Sequence, residues 1–431
     1  MERLLIPRDR YLQKLIDRRE NGLIKVITGL RRCGKSFLLF ELFYNYLLSD
    51  GIKPEQIVSI ALDDDRYRAY RDPDALSAFL YERISGTEMT YILIDEVQYA
   101  IAAEELKHPE REVRLYGVLN GLLRQKNVDV YVTGSNSKLL TKDVMTAFRG
   151  RGDEVRVYPL SFAEFYGAVG GDKAETYEEY ALYGGMPLVL SQKTDEDKMN
   201  YLRRLFGEVY FRDIAERYEI ALPDVLEELT DDLCSSVGSL TNASKIARTL
   251  QTVKHVDIAS ATVAKYLNTL TESFLFSEAK RYDVKGKRYF DYPVKFYCAD
   301  PGLRNARLNF RQQEETHLMK NVIYNTLLTR GCAVDVGVVE IVENKAGKRA
   351  KKQYEIDFVV NRGAKKYYIQ SALSVEDPEK RQAELRPLRG TGDFFKKIIV
   401  TKTSQRAWTD EEGILHLGLY AFLLDENALD L

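Results

Sequence analysis

The chain of 431 residues contains no apolar run near the roughly 20 residues that a membrane-spanning helix needs, so no helical membrane span is expected. Its start, Met1-Glu2-Arg3-Leu4-Leu5-Ile6-Pro7, lacks the apolar core and cleavage site of a secretory signal, and the expected location is the cytoplasm. Cysteine and histidine are scarce and scattered. Cys33, Cys234, Cys298 and Cys332 offer no metal-ligand spacing and fit a reducing compartment. His108, His255, His317 and His416 are equally isolated, which speaks against a zinc site. An excess of one charge is missing too. With 63 Lys and Arg against 65 Asp and Glu, the net charge of −2 rules out an overall basic attraction to nucleic acid but leaves room for a local patch. At 45% hydrophobic and 30% charged residues, the composition is that of an ordered protein of about two to four domains.

What is present starts with a loop. The apolar run Leu23-Ile24-Lys25-Val26-Ile27-Thr28 reads as a buried strand leading into Gly29-Leu30-Arg31-Arg32-Cys33-Gly34-Lys35-Ser36. A strand ending in glycines lets backbone N–H groups curl around phosphates, and the next helix, from Ser36 to Leu48, points its N-terminus at them. Lys35 is expected to reach the β and γ phosphates of ATP, and the Ser36 hydroxyl to ligate Mg2+. A second strand, Thr90-Tyr91-Ile92-Leu93-Ile94, ends in Asp95-Glu96; Asp95 is expected to hold the metal shell and Glu96 to act as catalytic base. A third, Val128-Asp129-Val130-Tyr131-Val132-Thr133, runs into Gly134-Ser135-Asn136-Ser137. Asn136 is the best placed amide to hydrogen-bond the γ-phosphate or the water, unless Gly134-Ser135 simply makes a turn. Residues 1–158 thus alternate strands and helices as a parallel α/β sheet requires. The acids Asp63-Asp64-Asp65 are expected to be a solvated loop rather than a second metal site.

These strand ends, in this order, resemble the AAA-type ATPases, in which Asn136 would be the sensor that reports the γ-phosphate. The resemblance runs along nearly the whole chain. Ile27-Thr28-Gly29 with Arg31-Arg32, Thr133-Gly134-Ser135-Asn136, Tyr158-Pro159-Leu160-Ser161-Phe162-Ala163-Glu164-Phe165 and Tyr183-Gly184-Gly185-Met186-Pro187 are similar to the prokaryotic AAA-type ATPase family related to the archaeal ATPases. Members carry a C-terminal domain that resembles PD-(D/E)XK nucleases. The resemblance implies that residues 159–222 form a helical lid beside the nucleotide. It also implies an arginine contributed by a neighbouring subunit. In Phe148-Arg149-Gly150-Arg151-Gly152 the candidate is Arg151, with Arg149 in reserve, against the alternative of a basic surface loop. An arginine acting in trans requires a homo-oligomer.

Residues 223–299 read as a winged helix-turn-helix, whose second helix, Ser260 to Leu270, has Val263, Tyr266, Leu267 and Leu270 on its apolar face. In a DNA-binding module Thr262, Lys265 and Asn268 would enter the major groove of duplex DNA, and the wing residues Lys285 and Lys287 would meet phosphates. The same module can instead contact protein or pack on the ATPase core.

Residues 300–431 are expected to form the nuclease-like α/β domain. Such a nuclease needs an acid on one strand and, on the next, an acid or amide followed by a lysine, so that carboxylates hold magnesium and the lysine orients hydroxide. Asp357 and Gln370 occupy the ligand positions, but Ala372 stands where the lysine is needed. On the preceding helix, Lys320 and Thr326 stand where relatives often show glutamate. The expectation is a nuclease-like fold that has lost cleavage, unless Lys365 or Lys366 substitutes. Together these readings describe an ATP-hydrolysing, DNA-associated switch or motor. The alternative is a regulatory or signalling ATPase that uses the same modules to hold protein partners without DNA.

Overall fold

The computed structural model describes residues 5–84, 86–102, 104–105, 113–134, 151–312, 314–345 and 348–431. They fall into two compact units, Met1–Pro159 with Glu272–Phe274, and Leu160–Thr271 with Leu275–Leu431.

The first unit is built on strands β1 (Ile24–Gly29), β2 (Ile57–Ala61), β3 (Thr90–Asp95), β4 (Val128–Thr133) and β5 (Gly152–Val157). They form one parallel sheet in the order β2-β3-β4-β1-β5. A parallel sheet is covered on both faces, which is why these strands are nearly continuous apolar runs. Val26, Ile92, Ile94, Val130 and Val132 pack against Leu76 and Leu80 of helix Pro73–Arg83 and Leu115 and Leu119 of helix Arg114–Leu122. Each such burial contributes roughly 1.5–3 kcal/mol. The charged exception, Lys25 in β1, pairs with Asp129 of the adjacent β4, and the Tyr131 hydroxyl donates to the same carboxylate at 2.9 Å. All strands being parallel, the carboxyl ends of β1, β3 and β4 open on one edge.

The second unit joins helices to a nine-stranded sheet. Its strands are β6 (Leu240–Thr241), β7 (Phe276–Asp283), β8 (Arg288–Cys298), β9 (Ala333–Lys345), β10 (Lys348–Arg362), β11 (Lys365–Ala372), β12 (Lys396–Thr401), β13 (Trp408–Thr409) and β14 (Leu415–Gly418). The order is β13-β14-β12-β11-β10-β9-β7-β8-β6. Because β7 pairs with β9, this sheet runs straight through the expected boundary at 299/300.

Two sequence signatures explain local structure here. Ser161 and Glu164 close a capping box at the start of helix Phe162–Val169, with Ser161 N donating to the Glu164 carboxylate at 2.8 Å. Leu160 N donates to Gly185 O at 2.7 Å, and a Cβ on Gly185 would lie 2.1 Å from Leu160 O, so only glycine fits. The buried Asp300 accepts from Gly185 N at 2.6 Å. Burial pushes its carboxyl up to about 6, against the pull of backbone N–H groups of Gly185, Leu303 and Gly302. Helix Lys173–Tyr183, expected in the lid, packs on helix Pro301–Arg307 within this unit, where Asn305 Nδ2 donates to Ala181 O at 2.8 Å.

Candidate functional site

β1 ends at Gly29, whose φ of 137° and a would-be Cβ 2.1 Å from Val157 O both require glycine. The chain then turns through Leu30, Arg31, Arg32, Cys33 and Gly34 before the helix begins at Lys35. Lys35 is buried, and its ammonium donates to Gly29 O and Leu30 O, each at 3.0 Å, so it lies folded over its own loop. Burial pushes the Cys33 thiol up, and its Sγ packs 3.5 Å from Val157 O, which makes it a wall of the loop rather than a nucleophile. Sequence reasoning missed the brace behind the loop. Arg8, buried, donates to Cys33 O at 3.1 Å and to Tyr158 O at 2.7 Å.

In the β3–β4 register Ile94 faces Val132, so Asp95 and Thr133 come together at the open edge. The Thr133 hydroxyl donates to Asp95 Oδ1 and accepts from Glu96 N at 3.1 Å. The Ser36 hydroxyl also acts on the Asp95 carboxylate, holding its pKa down. Burial pushes the Asp95 carboxyl up, partly offset by those two hydroxyls, and among the described residues no ammonium or guanidinium group pairs with it. A buried carboxylate beside hydroxyl oxygens and without a counter-ion suits a hard divalent cation, so Ser36 and Asp95 fit magnesium. Glu96 follows in a left-handed conformation at φ 52°, and Gln98 Nε2 donates to its carboxylate. Asn136 and Arg149 lie outside the described residues. Arg151 is exposed just before β5. The β1–β5 register runs from Ile24↔Gly152 to Gly29↔Val157, which puts Arg151 at the far end of the sheet from the loop, about 20 Å away. Arg151 therefore does not reach phosphates held by its own loop. Asp64 pairs with Arg66 at 2.6 Å on an exposed turn, as a solvated loop should.

In the second unit, Lys265 is exposed on helix Ser260–Glu272. The expected wing is not free along its length. Val284 N donates to Val338 O at 3.0 Å and the Lys285 ammonium donates to Glu340 O at 3.0 Å, so Lys285 is held by β9 while Lys287 stays exposed.

Asp357, 2% exposed, accepts from Ser371 N at 2.9 Å and Ser371 Oγ at 3.1 Å, and the Lys320 ammonium sits 2.5 Å from its Oδ1. Burial works against the Lys320 charge, but the Asp357 carboxylate outweighs it and the ammonium pKa is raised. Gln370 Oε1 accepts from Asp357 N at 3.2 Å, and its Nε2 donates to Glu384 at 2.7 Å. Burial pushes the Glu384 carboxyl up. Glu384 arrives from helix Pro378–Arg389, and no spacing in the sequence pointed to it. Lys365 pairs instead with Asp430 at 2.7 Å, and Lys366 lies over the rings of Tyr282 and Phe395, so the described cation at Asp357 is Lys320.

Comparison with known proteins gives matches of three kinds. A family described as an AAA domain matches residues 21–166, and a domain of unknown function matches residues 174–314. An uncharacterized protein of Haemophilus influenzae is 32% identical over 408 residues, 93% of this chain and 94% of that protein. An uncharacterized protein of Methanocaldococcus jannaschii is 26% identical over 378 residues, 83% of this chain and 76% of that one. Among solved structures, the Walker-type ATPase of Pyrococcus abyssi is similar over 70% of this chain and 96% of its own, at 18% identity and a TM-score of 0.48. The ORC1 protein of Aeropyrum pernix, solved in complex with DNA, is similar over 71% and 93% at 15% identity and a TM-score of 0.27. Likeness at these TM-scores says nothing further about what this chain binds.

Proposed function

We propose that this chain, which belongs to one family with the uncharacterized Haemophilus influenzae protein and matches an AAA domain over residues 21–166, binds ATP with magnesium at the loop after β1 and hydrolyses it. The observation that carries this reading is the meeting of Ser36, Asp95 and Thr133 at the carboxyl edge of the sheet. Lys35 would exchange its bonds to Gly29 O and Leu30 O for phosphate oxygens, which as charge-assisted partners bind it more strongly. Ser36 and Asp95 would hold magnesium, which when bound would neutralise charge on the β and γ phosphates. Glu96 takes the proton of the attacking water, and Thr133 fixes Glu96 relative to Asp95. Asn136 would sense the γ-phosphate. Arg151 would complete the site of a second copy, which makes the working form a homo-oligomer.

The rest of the chain is read as what the ATPase drives: a lid at 159–222, a winged helix at 223–299 and a nuclease-like region at 300–431 that has lost cleavage. The pairing of Lys320 with Asp357 supports that loss, since an ammonium takes the acid a metal would need. Exposed Lys265 and Asn268, one helical turn apart, support contact with duplex DNA, joined by Lys287. The test is the steady-state ATPase rate with and without duplex DNA across a salt series, for the native protein and a Lys265→Ala/Lys287→Ala variant. A DNA-stimulated, salt-sensitive rate that the variant blunts is expected. A rate indifferent to DNA at every salt concentration would overturn DNA association and leave protein partners as the target.

A further inference from the structure

Phe394 is fully exposed and its neighbour Phe395 is 44% exposed, on the loop that leads into β12. Two adjacent phenylalanines facing water contribute nothing to folding through Phe394, and large exposed aromatic surface marks a binding face. They do not stand alone. The Lys366 ammonium lies 5.2 Å from the Phe395 ring centroid and 5.1 Å from that of Tyr282, and the Tyr282 and Tyr289 rings are 5.2 Å apart. Tyr289 is 56% exposed, with its hydroxyl donating to Asp335 at 2.9 Å, and Phe395 rests edge-on against Tyr368. The result is a strip of rings interrupted by a lysine and fixed in place from beneath.

We propose that the strip Phe394, Phe395, Lys366, Tyr282 and Tyr289 is a docking surface for an unpaired nucleic-acid strand. Bases present flat π faces to exposed rings whatever their sequence, and the strand's phosphates need a cation between stacking positions. A purely apolar partner helix would instead have to desolvate Lys366 at the centre of the contact. Stacked duplex bases cannot reach the rings, so this surface selects single strands, whereas the helix bearing Lys265 is read as facing duplex. The inference rests on the nucleic-acid part of the proposed function and on different residues from it.

The test is fluorescence anisotropy of a labelled oligothymidine strand with the full chain and with Phe394→Ala and Lys366→Gln variants, over a salt series. Phe394 makes no packing contact that folding depends on, so Phe394→Ala is expected to bind the strand roughly tenfold more weakly while its ATPase rate and duplex binding are unchanged. Lys366→Gln is expected to lower the salt dependence by about one phosphate contact. Failure of the native chain to bind the strand at low salt, or binding by both variants equal to the native chain, would overturn the assignment without touching the ATPase reading. A Phe394-dependent self-association seen by sedimentation in the absence of strand binding would also overturn it, giving the strip to a second copy.

Discussion

Asp95 and Asp357 are both buried strand carboxylates with a hydroxyl against one oxygen, yet they stand in opposite electrostatic states. Asp95 has Ser36 and Thr133 as partners and no cationic side chain among the described residues, and burial pushes its carboxyl up. Asp357 already has its cation in Lys320. A third buried carboxylate, Asp300, has neither among the described residues and is held there by backbone N–H groups. A buried carboxylate at, within or just after a strand thus becomes a proposed magnesium ligand, a closed ion pair or a structural latch, and the neighbours decide which. Burying a charge is costly unless it is compensated, so the missing counter-ion at Asp95 is the informative feature.

The comparison can be broken at several points. The largest effect on activity is expected for Lys35→Ala, which removes the proposed charge-assisted phosphate contact: ATP hydrolysis should fall by roughly a thousandfold or more with weaker nucleotide retention, read by phosphate release and filter binding. Next, Lys320→Ala should turn Asp357 into an uncompensated buried carboxylate like Asp95, costing about 3–5 kcal/mol in urea unfolding. Magnesium or manganese should then restore part of the loss in the variant and not in the native chain; no cation effect would show that the pocket cannot accept a metal.

Asp300 gives a pH-dependent contrast. Its folded value of about 6 lies above its ordinary value of 3.8, so the folded state holds the proton more tightly. The associated stability is fully present below about pH 4 and is lost as pH rises through about 6, a change of roughly 3 kcal/mol. The native-minus-Asp300→Asn difference in unfolding free energy should follow that slope, and a flat difference would remove the assignment. The smallest effect is expected for Thr133→Val, which keeps shape but removes one hydroxyl from both Asp95 and Glu96 N. The turnover rate should drop about tenfold with the melting temperature little changed.

What could be read in the sequence was what lies close along the chain. Gly29 to Ser36 is one loop, and Asp95-Glu96 closes one strand, so their chemistry is local. Partners that arrive from a distance were invisible. Thr133 joins Asp95 through strand register, Arg8 reaches the loop from the residue just before helix Asp9–Ile16, and Glu384 reaches Gln370 from the helix after β11. Lys285 read as a free wing residue because its capture by β9 depends on a β7–β9 pairing across more than fifty residues. The Pro-Leu-Ser-Phe and Gly-Gly-Met-Pro signatures were visible as patterns, but that Leu160 and Gly185 bond each other, and that Asp300 seals the turn, is a property of packing. Both signatures hold the fold of the second unit together.

The most direct measurement is nucleotide retention and phosphate release by the native protein and by Glu96→Gln, side by side in magnesium. Both proteins should hold ATP, and only the native one should release phosphate at an appreciable rate, because the amide is a poor base. Equal release by the two would contradict the role given to Glu96, and no release by the native protein would contradict ATP hydrolysis itself.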